Sequence, residues 1–249
     1  MKNSIIGSTI VATFLLVGCG SDSSSSSNES SSFTAGQGGS LASFTIVGDY
    51  LYTVDDNSLN VFSITNPENP VKVNDVSIGF RIETLFSYKQ YLYVGSQEGM
   101  FIYSIENPEE PQYKSDVQHF TACDPVIANS THAFVTLHTN TICGNDTNVL
   151  EIYDVSEVLN PVLISSRNLT SPIGLGLYND YLFVCDDEVK IFDVSNPEES
   201  ALVTTINKEV FDVIIKDDLL ILIGKNGLHQ YSLDENNIEN NTLLSTISF

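Results

Sequence analysis

The sequence predicts an all-β fold, a β-propeller of five four-stranded blades, and three observations carry that prediction. First, an apolar, aromatic and β-branched run recurs five times, as "DYLYTV" (49–54), "QYLYVG" (90–95), "THAFVT" (131–136), "DYLFVC" (180–185) and "DLLILI" (218–223). The spacings are 41, 41, 49 and 38 residues, a period that marks a repeat architecture. Second, about 11 residues after each such run comes another: "NVFSIT", "FIYSIE", "EIYDVS", "KIFDVS" and "HQYSLD". Third, a proline-bearing corner follows, and no helical period is visible in the folded part. Short apolar runs bounded by turn residues read as strands, and four per repeat describe a propeller blade.

Taken in chain order, the first residues, "MKNSIIGSTIVATFLLVGCGSD", join Lys2, an apolar run from about Ile5 to Val17, and Gly18-Cys19. This pattern predicts a signal peptide over 1–18, its apolar run shorter than the ~20 residues that cross a bilayer. "LVGC" at 16–19 resembles the lipobox of bacterial lipoproteins. The resemblance implies cleavage before Cys19 and acylation of that cysteine, with chains such as palmitate. Residues 19–39 then form a Ser/Gly-rich tether, too poor in apolar side chains to fold. The expected protein is therefore held at a membrane of the cell envelope through Cys19. Because Gly20 rather than Asp follows the cysteine, lipoprotein sorting implies the outer membrane in a cell with two.

From 40 to 249 the repeats run as blades of about 40–80, 81–120, 121–170, 171–208 and 209–249. In each, the first strand precedes the aligned run ("LASFTIV", "IETLFSY", "DPVIANS", "PIGLGLY", "VFDVIIK"). In the third strand Val61, Ile102, Ile152 and Ile191 alternate with Phe62, Tyr103, Tyr153 and Phe192, which places two apolar sets on opposite faces. The corners "NPENP" (66–70), "NPEEP" (107–111), "EVLNP" (157–161), "NPEES" (196–200) and the degenerate "ENNIE" (235–239) end that strand. Proline fixes φ and lacks an N–H, so it stops a strand and starts a turn. A fourth strand closes each unit. A longer propeller assembled from several chains is the alternative to a direct count of five. The glycines of "IGLGLY" (173–178) predict close packing at the narrow centre.

The fragments "YLYV…MFIYSIENPEEP" and "YLFVCDDEVKIFDVSNPEE" resemble the LVIVD repeat of bacterial and archaeal surface propellers. The resemblance covers essentially the whole folded region and implies the fold without implying an activity.

A net charge of −22 argues against nucleic acid and against adsorption on anionic headgroups. Function in a propeller is expected on the side where loops enter the first strand and join the second to the third. Unit three is elaborated there: "HTNTICGNDTNVL" (138–150) carries Cys143, and "TACDPV" (121–126) carries Cys123. Cysteines of an exported protein pair, so a Cys123–Cys143 disulfide is expected to staple the long loop. Cys185 is then a buried small hydrophobe or a free thiol. Asp124, His138, Asp186 and Asp187 fall on the same side, with Glu83, Asp55 and Asp56 on other blades.

These residues fit three readings: satisfied turn carboxylates, a small-ligand or cation site at the channel mouth, or paired carboxylates working on a glycosidic bond. No calcium loop, H-E-x-x-H, G-x-S-x-G, Cys-x-x-Cys or P-loop occurs, and His119, His132, His138 and His229 are scattered. The expectation is a non-enzymatic scaffold without cofactor or metal, binding a protein or glycan through the cysteine-bearing face. A carbohydrate-active enzyme is the alternative, and the discriminating feature is whether carboxylates converge at the mouth or Phe211 plugs it.

Overall fold

The structure is a computed structural model that describes residues 38–79, 81–118, 125–138 and 147–249. The signal peptide, Cys19, the tether up to residue 37, His119, Cys123, Asp124 and Cys143 lie outside the described residues.

Twenty strands form five antiparallel sheets of four. Blade 1 comprises Phe44–Val47 (β1), Tyr50–Val54 (β2), Ser58–Ser63 (β3) and Val71–Ser77 (β4). Blade 2 comprises Ile82–Tyr88 (β5), Tyr91–Ser96 (β6), Gly99–Ser104 (β7) and Gln112–Gln118 (β8). Blade 3 comprises Val126–Ala128 (β9), His132–Leu137 (β10), Val149–Asp154 (β11) and Val162–Asn168 (β12). Blade 4 comprises Leu175–Tyr178 (β13), Tyr181–Cys185 (β14), Val189–Asp193 (β15) and Ala201–Ile206 (β16). Blade 5 comprises Asp212–Lys216 (β17), Leu219–Gly224 (β18), Gly227–Ser232 (β19) and Thr242–Ser248 (β20). Strands pair in chain order within every sheet, so the fold is the five-bladed propeller that the repeat predicts. Among the described residues no helix is long and apolar enough to cross a membrane.

Local chemistry explains the repetition. The first two strands of blades 1, 2, 4 and 5 meet at two-residue turns, where Gly48, Lys89, Asn179 and Asp217 have φ between +52° and +58°. That left-handed step matches the twist of a tight hairpin. Each outer strand also carries one extra residue at the same place, opposite Val61/Phe62, Ile102/Tyr103, Ile152/Tyr153, Ile191/Phe192 and Gln230/Tyr231. A bulge on every edge strand bends it and blunts edge-to-edge pairing.

The blades are joined by four apolar clusters that use the same repeat positions. Tyr52, Leu59 and Val61 of blade 1 pack on Leu85, Leu92 and Val94 of blade 2. Tyr93, Met100 and Ile102 pack on Val126, Ala133 and Val135. Phe134, Leu150 and Ile152 pack on Leu175, Leu182 and Val184, and Phe183, Val189 and Ile191 on Val213, Leu220 and Leu222. Both faces of the middle blades are therefore core, which is why their strands read as near-continuous apolar runs.

Among the described residues no such cluster joins blade 5 to blade 1. Leu85, Val126, Leu175 and Val213 are at most 2% exposed, whereas Phe44, their counterpart in blade 1, is 58% exposed. Where blades 1 to 4 bury Tyr52, Tyr93, Phe134 and Phe183, blade 5 has Ile221, which is half-buried. This joint is instead spanned by residues 39–42. The Ser40 hydroxyl accepts from the Leu175 N–H at 2.7 Å, and the Ala42 carbonyl accepts from the Leu85 N–H at 2.7 Å. The Asp212 carboxylate takes hydrogen bonds from Ser40 and from the Leu41 and Val213 N–H groups. A Cβ on Gly39 or Gly174 would run into Asp212, so both glycines clear the room that this polar clasp needs.

Candidate functional site

The inner strands of all five blades surround a central cavity of about 230 Å³. Phe44, Leu85, Phe86, Leu177, Val213 and Ile215 make it apolar, and Thr45 Oγ1 and Ser87 Oγ hydrogen-bond each other at 2.8 Å beside it. Among the described residues no acidic side chain lines this cavity.

The expected residues separate into two groups on one side of the sheets. The first belongs to blades 1 and 2. Asp55 follows β2 and accepts from the Asn57 and Ser58 N–H groups at 3.0 and 2.9 Å and from Asn60 Nδ2 at 3.0 Å. These donors hold its carboxyl below the ordinary range. Asp56 passes its carbonyl to the Ile82 N–H at 3.2 Å, linking the loops of the two blades. Glu83 accepts from Gln97 Nε2 at 2.9 Å, and Gln97 Oε1 accepts from Arg81 at 2.7 Å.

The second group does converge. His138 at the end of β10, Asp186 and Asp187 between β14 and β15, and Phe211 ahead of β17 line one groove of about 650 Å³. Ser171, Ile173, Glu209, Val210, Lys225 and Asn226 complete it. The Asp186 side chain is wholly buried. It accepts from the Thr170 N–H at 3.1 Å, from the Ser171 N–H, and from Lys190 Nζ at 2.5 Å. Lys190 also reaches Asp187, which is half-exposed and is held below the ordinary carboxylate range chiefly by that contact. Burial opposes the charge on Lys190, but the two carboxylates outweigh it and raise its pKa. One ammonium thus bridges two carboxylates, and Asp186 holds the Thr170–Ser171 turn.

Such an arrangement is poor acid–base machinery. A general acid or base needs a carboxylate with a free lone pair or proton facing substrate, and Asp186 has its oxygens engaged by the protein itself. Among the described residues no three His, Cys, Asp or Glu side chains stand close enough to hold a metal ion. Phe211 does not line the central cavity. It sits at the groove, 37% exposed, so it is a surface aromatic rather than a plug.

Cys185 is fully buried in the apolar contact of blades 4 and 5, and burial pushes its thiol far above its usual value. It is a small core hydrophobe among the described residues. His132 stands at the repeat position of Tyr50, Tyr91 and Tyr181, bonds Thr131 at 2.9 Å, and is pushed down by burial. Glu209, Lys225 and Asn226 were not singled out from the sequence. Lys225-Asn226 is the turn joining β18 to β19, the place that Asp186-Asp187 occupies one blade earlier, so alignment of turns as well as strands reveals it.

The LVIVD repeat model matches residues 38–77 and 174–207, which hold blades 1 and 4. The chain is an LVIVD-repeat propeller. No curated protein matches it by sequence. Among solved structures, this LVIVD-repeat chain is similar to a functionally unknown protein of Desulfotomaculum acetoxidans. The TM-score is 0.64 at 10% identity, covering 87% of this chain and 70% of that one. A protein from Lactobacillus plantarum gives 0.65 at 10% identity, covering 81% and 73%. The periplasmic gluconolactonase of Pseudomonas aeruginosa gives 0.63 at 14%, covering 81% and 68%. At such identities the likeness is one of fold.

Proposed function

We propose that this propeller is a non-enzymatic interaction scaffold, tethered to a membrane through a lipidated Cys19, that binds a protein segment in the groove of blades 3 to 5. The observation that carries the reading is the state of Asp186 and Asp187. Both are tied to Lys190 in a groove whose open surface is Phe211, Lys225, Glu209 and Asn226. An exposed aromatic beside charges of both signs is the composition of a recognition surface, with an anchor and a polar rim.

The test is cross-linking in the native cell followed by capture of the lipoprotein, comparing wild type with Phe211→Ala and Lys225→Glu. One reproducible protein adduct, weakened at least tenfold in both variants, is expected. An adduct unaffected by either variant would refute the groove as the contact. A second reading, a carbohydrate-active site, has one observation in its favour: Phe211 offers a face on which a sugar ring can stack next to Asp187 and Asn226. Turnover of a glycan, lost in Asp187→Asn, would establish it in place of the first.

A further inference from the structure

The groove leaves blade 5 itself unexplained. Its outer strand β20, "TLLSTIS" (242–248), has Leu243, Leu244 and Ile247 at 49%, 58% and 57% exposure, and Phe249 just beyond it at 77%. No other edge strand carries more than two exposed large apolar side chains: Val71 and Val73 on β4, Tyr113 on β8, Val162 and Leu163 on β12, Leu202 on β16.

Charge sets β20 apart from three of the other edges, and from the fourth through its neighbour, since β16 is itself charge-free but pairs with Lys190 and Asp193 of β15. Lys72 and Asp75 interrupt β4, Lys114 and Asp116 interrupt β8, and Arg167 interrupts β12. The guanidinium of Arg167 also crosses to the Ser200 carbonyl, immediately before β16, and stands 5.2 Å over Phe192. Charged side chains on an edge are the usual guard against pairing with another chain. The strands β18, β19 and β20 hold no Asp, Glu, Lys or Arg at all. The bulge at Leu244 is common to all five edges and does not distinguish this one.

We propose that β20 is a self-association edge, pairing antiparallel with β20 of a second copy of this chain across a two-fold axis. The sequence is self-complementary about Ser245. Antiparallel pairing centred there sets Leu243 against Ile247 and Thr242 against Ser248, like against like, while Leu244, the bulge residue, faces Thr246. An isologous contact requires this self-complementarity. The net charge of −22 opposes contact between copies everywhere that carboxylates are dense, and it selects the edge whose three outer strands carry no charge. The two blade-5 sheets then join into one of eight strands, and the unpaired N–H and C=O groups of each edge gain partners.

The experiment uses the full chain in its native membrane with a single added cysteine, oxidised mildly, against the unaltered chain as the baseline for its own cysteines. Ser245→Cys places the thiol on the axis, opposite itself. Thr204→Cys places one at the matching position of β16, since Ser245 pairs with Gln230 as Thr204 pairs with Ile191. A disulfide-linked dimer is expected from Ser245→Cys at least tenfold above that from Thr204→Cys. Adding Ile247→Lys to Ser245→Cys is expected to abolish it. Equal dimer from both positions, or none above baseline from Ser245→Cys, would overturn the proposal. Both sites are partly exposed, and retention of the far-ultraviolet β spectrum verifies the fold of each variant.

Discussion

Asp212 is the residue on which the joint between blades 5 and 1 turns, and its titration is measurable. Burial raises its pKa from the ordinary 3.8 to about 6, against the pull of the Ser40, Leu41 and Val213 donors. A carboxyl raised in the folded state holds its proton more tightly there than in the unfolded chain. Its contribution to stability is therefore complete below about pH 3.8 and is lost as pH rises through about 6. The loss across that window is on the order of 2–3 kcal/mol. Urea unfolding between pH 4 and 7 should show this slope in the wild type, and Asp212→Asn should remove it. A variant with an unchanged slope would show that the clasp does not govern the titration. The close approach at Gly174 was legible in the sequence, but the clasp was not, because Gly39-Ser40, Gly174 and Asp212 are far apart in the chain and only the propeller closes them on one another.

At the scale of elements, the proline corners are more than punctuation. The Pro108 carbonyl in the corner of blade 2 accepts from Tyr52 Oη at 2.9 Å, and the Glu109 carbonyl accepts from Asn74 Nδ2 at 2.7 Å. In blade 3 the matching Val158 carbonyl accepts from Ser115 Oγ at 2.5 Å. The corners of blades 2 and 3 thus clasp the blade before them. Pro111 is buried while Pro70, in the corner of blade 1, is exposed, as expected for the corner with no blade packed before it. Tyr52→Phe keeps the ring in the blade 1–2 core and removes only the hydroxyl, so it should lower stability by about 1 kcal/mol. Chemical denaturation measures this, and no change would mean the corner is not a clasp. The strands, their order and the inward residues were legible because a 41-residue period repeats them. The clasps were not, because a hydrogen bond from blade n to blade n+1 leaves no periodic mark in hydropathy. The bulges escaped for a similar reason: one extra residue on a half-exposed strand barely alters its pattern.

At the scale of the propeller, the described residues form four packed blade joints and one polar one, and on one side the loops gather His138, Asp186, Asp187 and Phe211 into a groove. The sequence placed these four on that side because strand order alone decides which loops share a side. It did not separate Asp55 and Glu83 from them, since which blades' loops meet depends on spacing around the centre. It did not foresee the apolar inner cavity, which the inner strands line with Leu, Phe, Val and Ile. The net charge of −22 and the tied carboxylates are what support the proposal that this surface recognises a partner. The central claim is that recognition occurs at the groove. The most direct measurement is a photo-cross-linking residue placed at Phe211 in the native cell, with a second placed at Asp218 in the β17–β18 turn at the other end of the strands. The account predicts a discrete protein adduct from position 211 that position 218 does not give. Identical adducts from both positions, or none from 211, would contradict it.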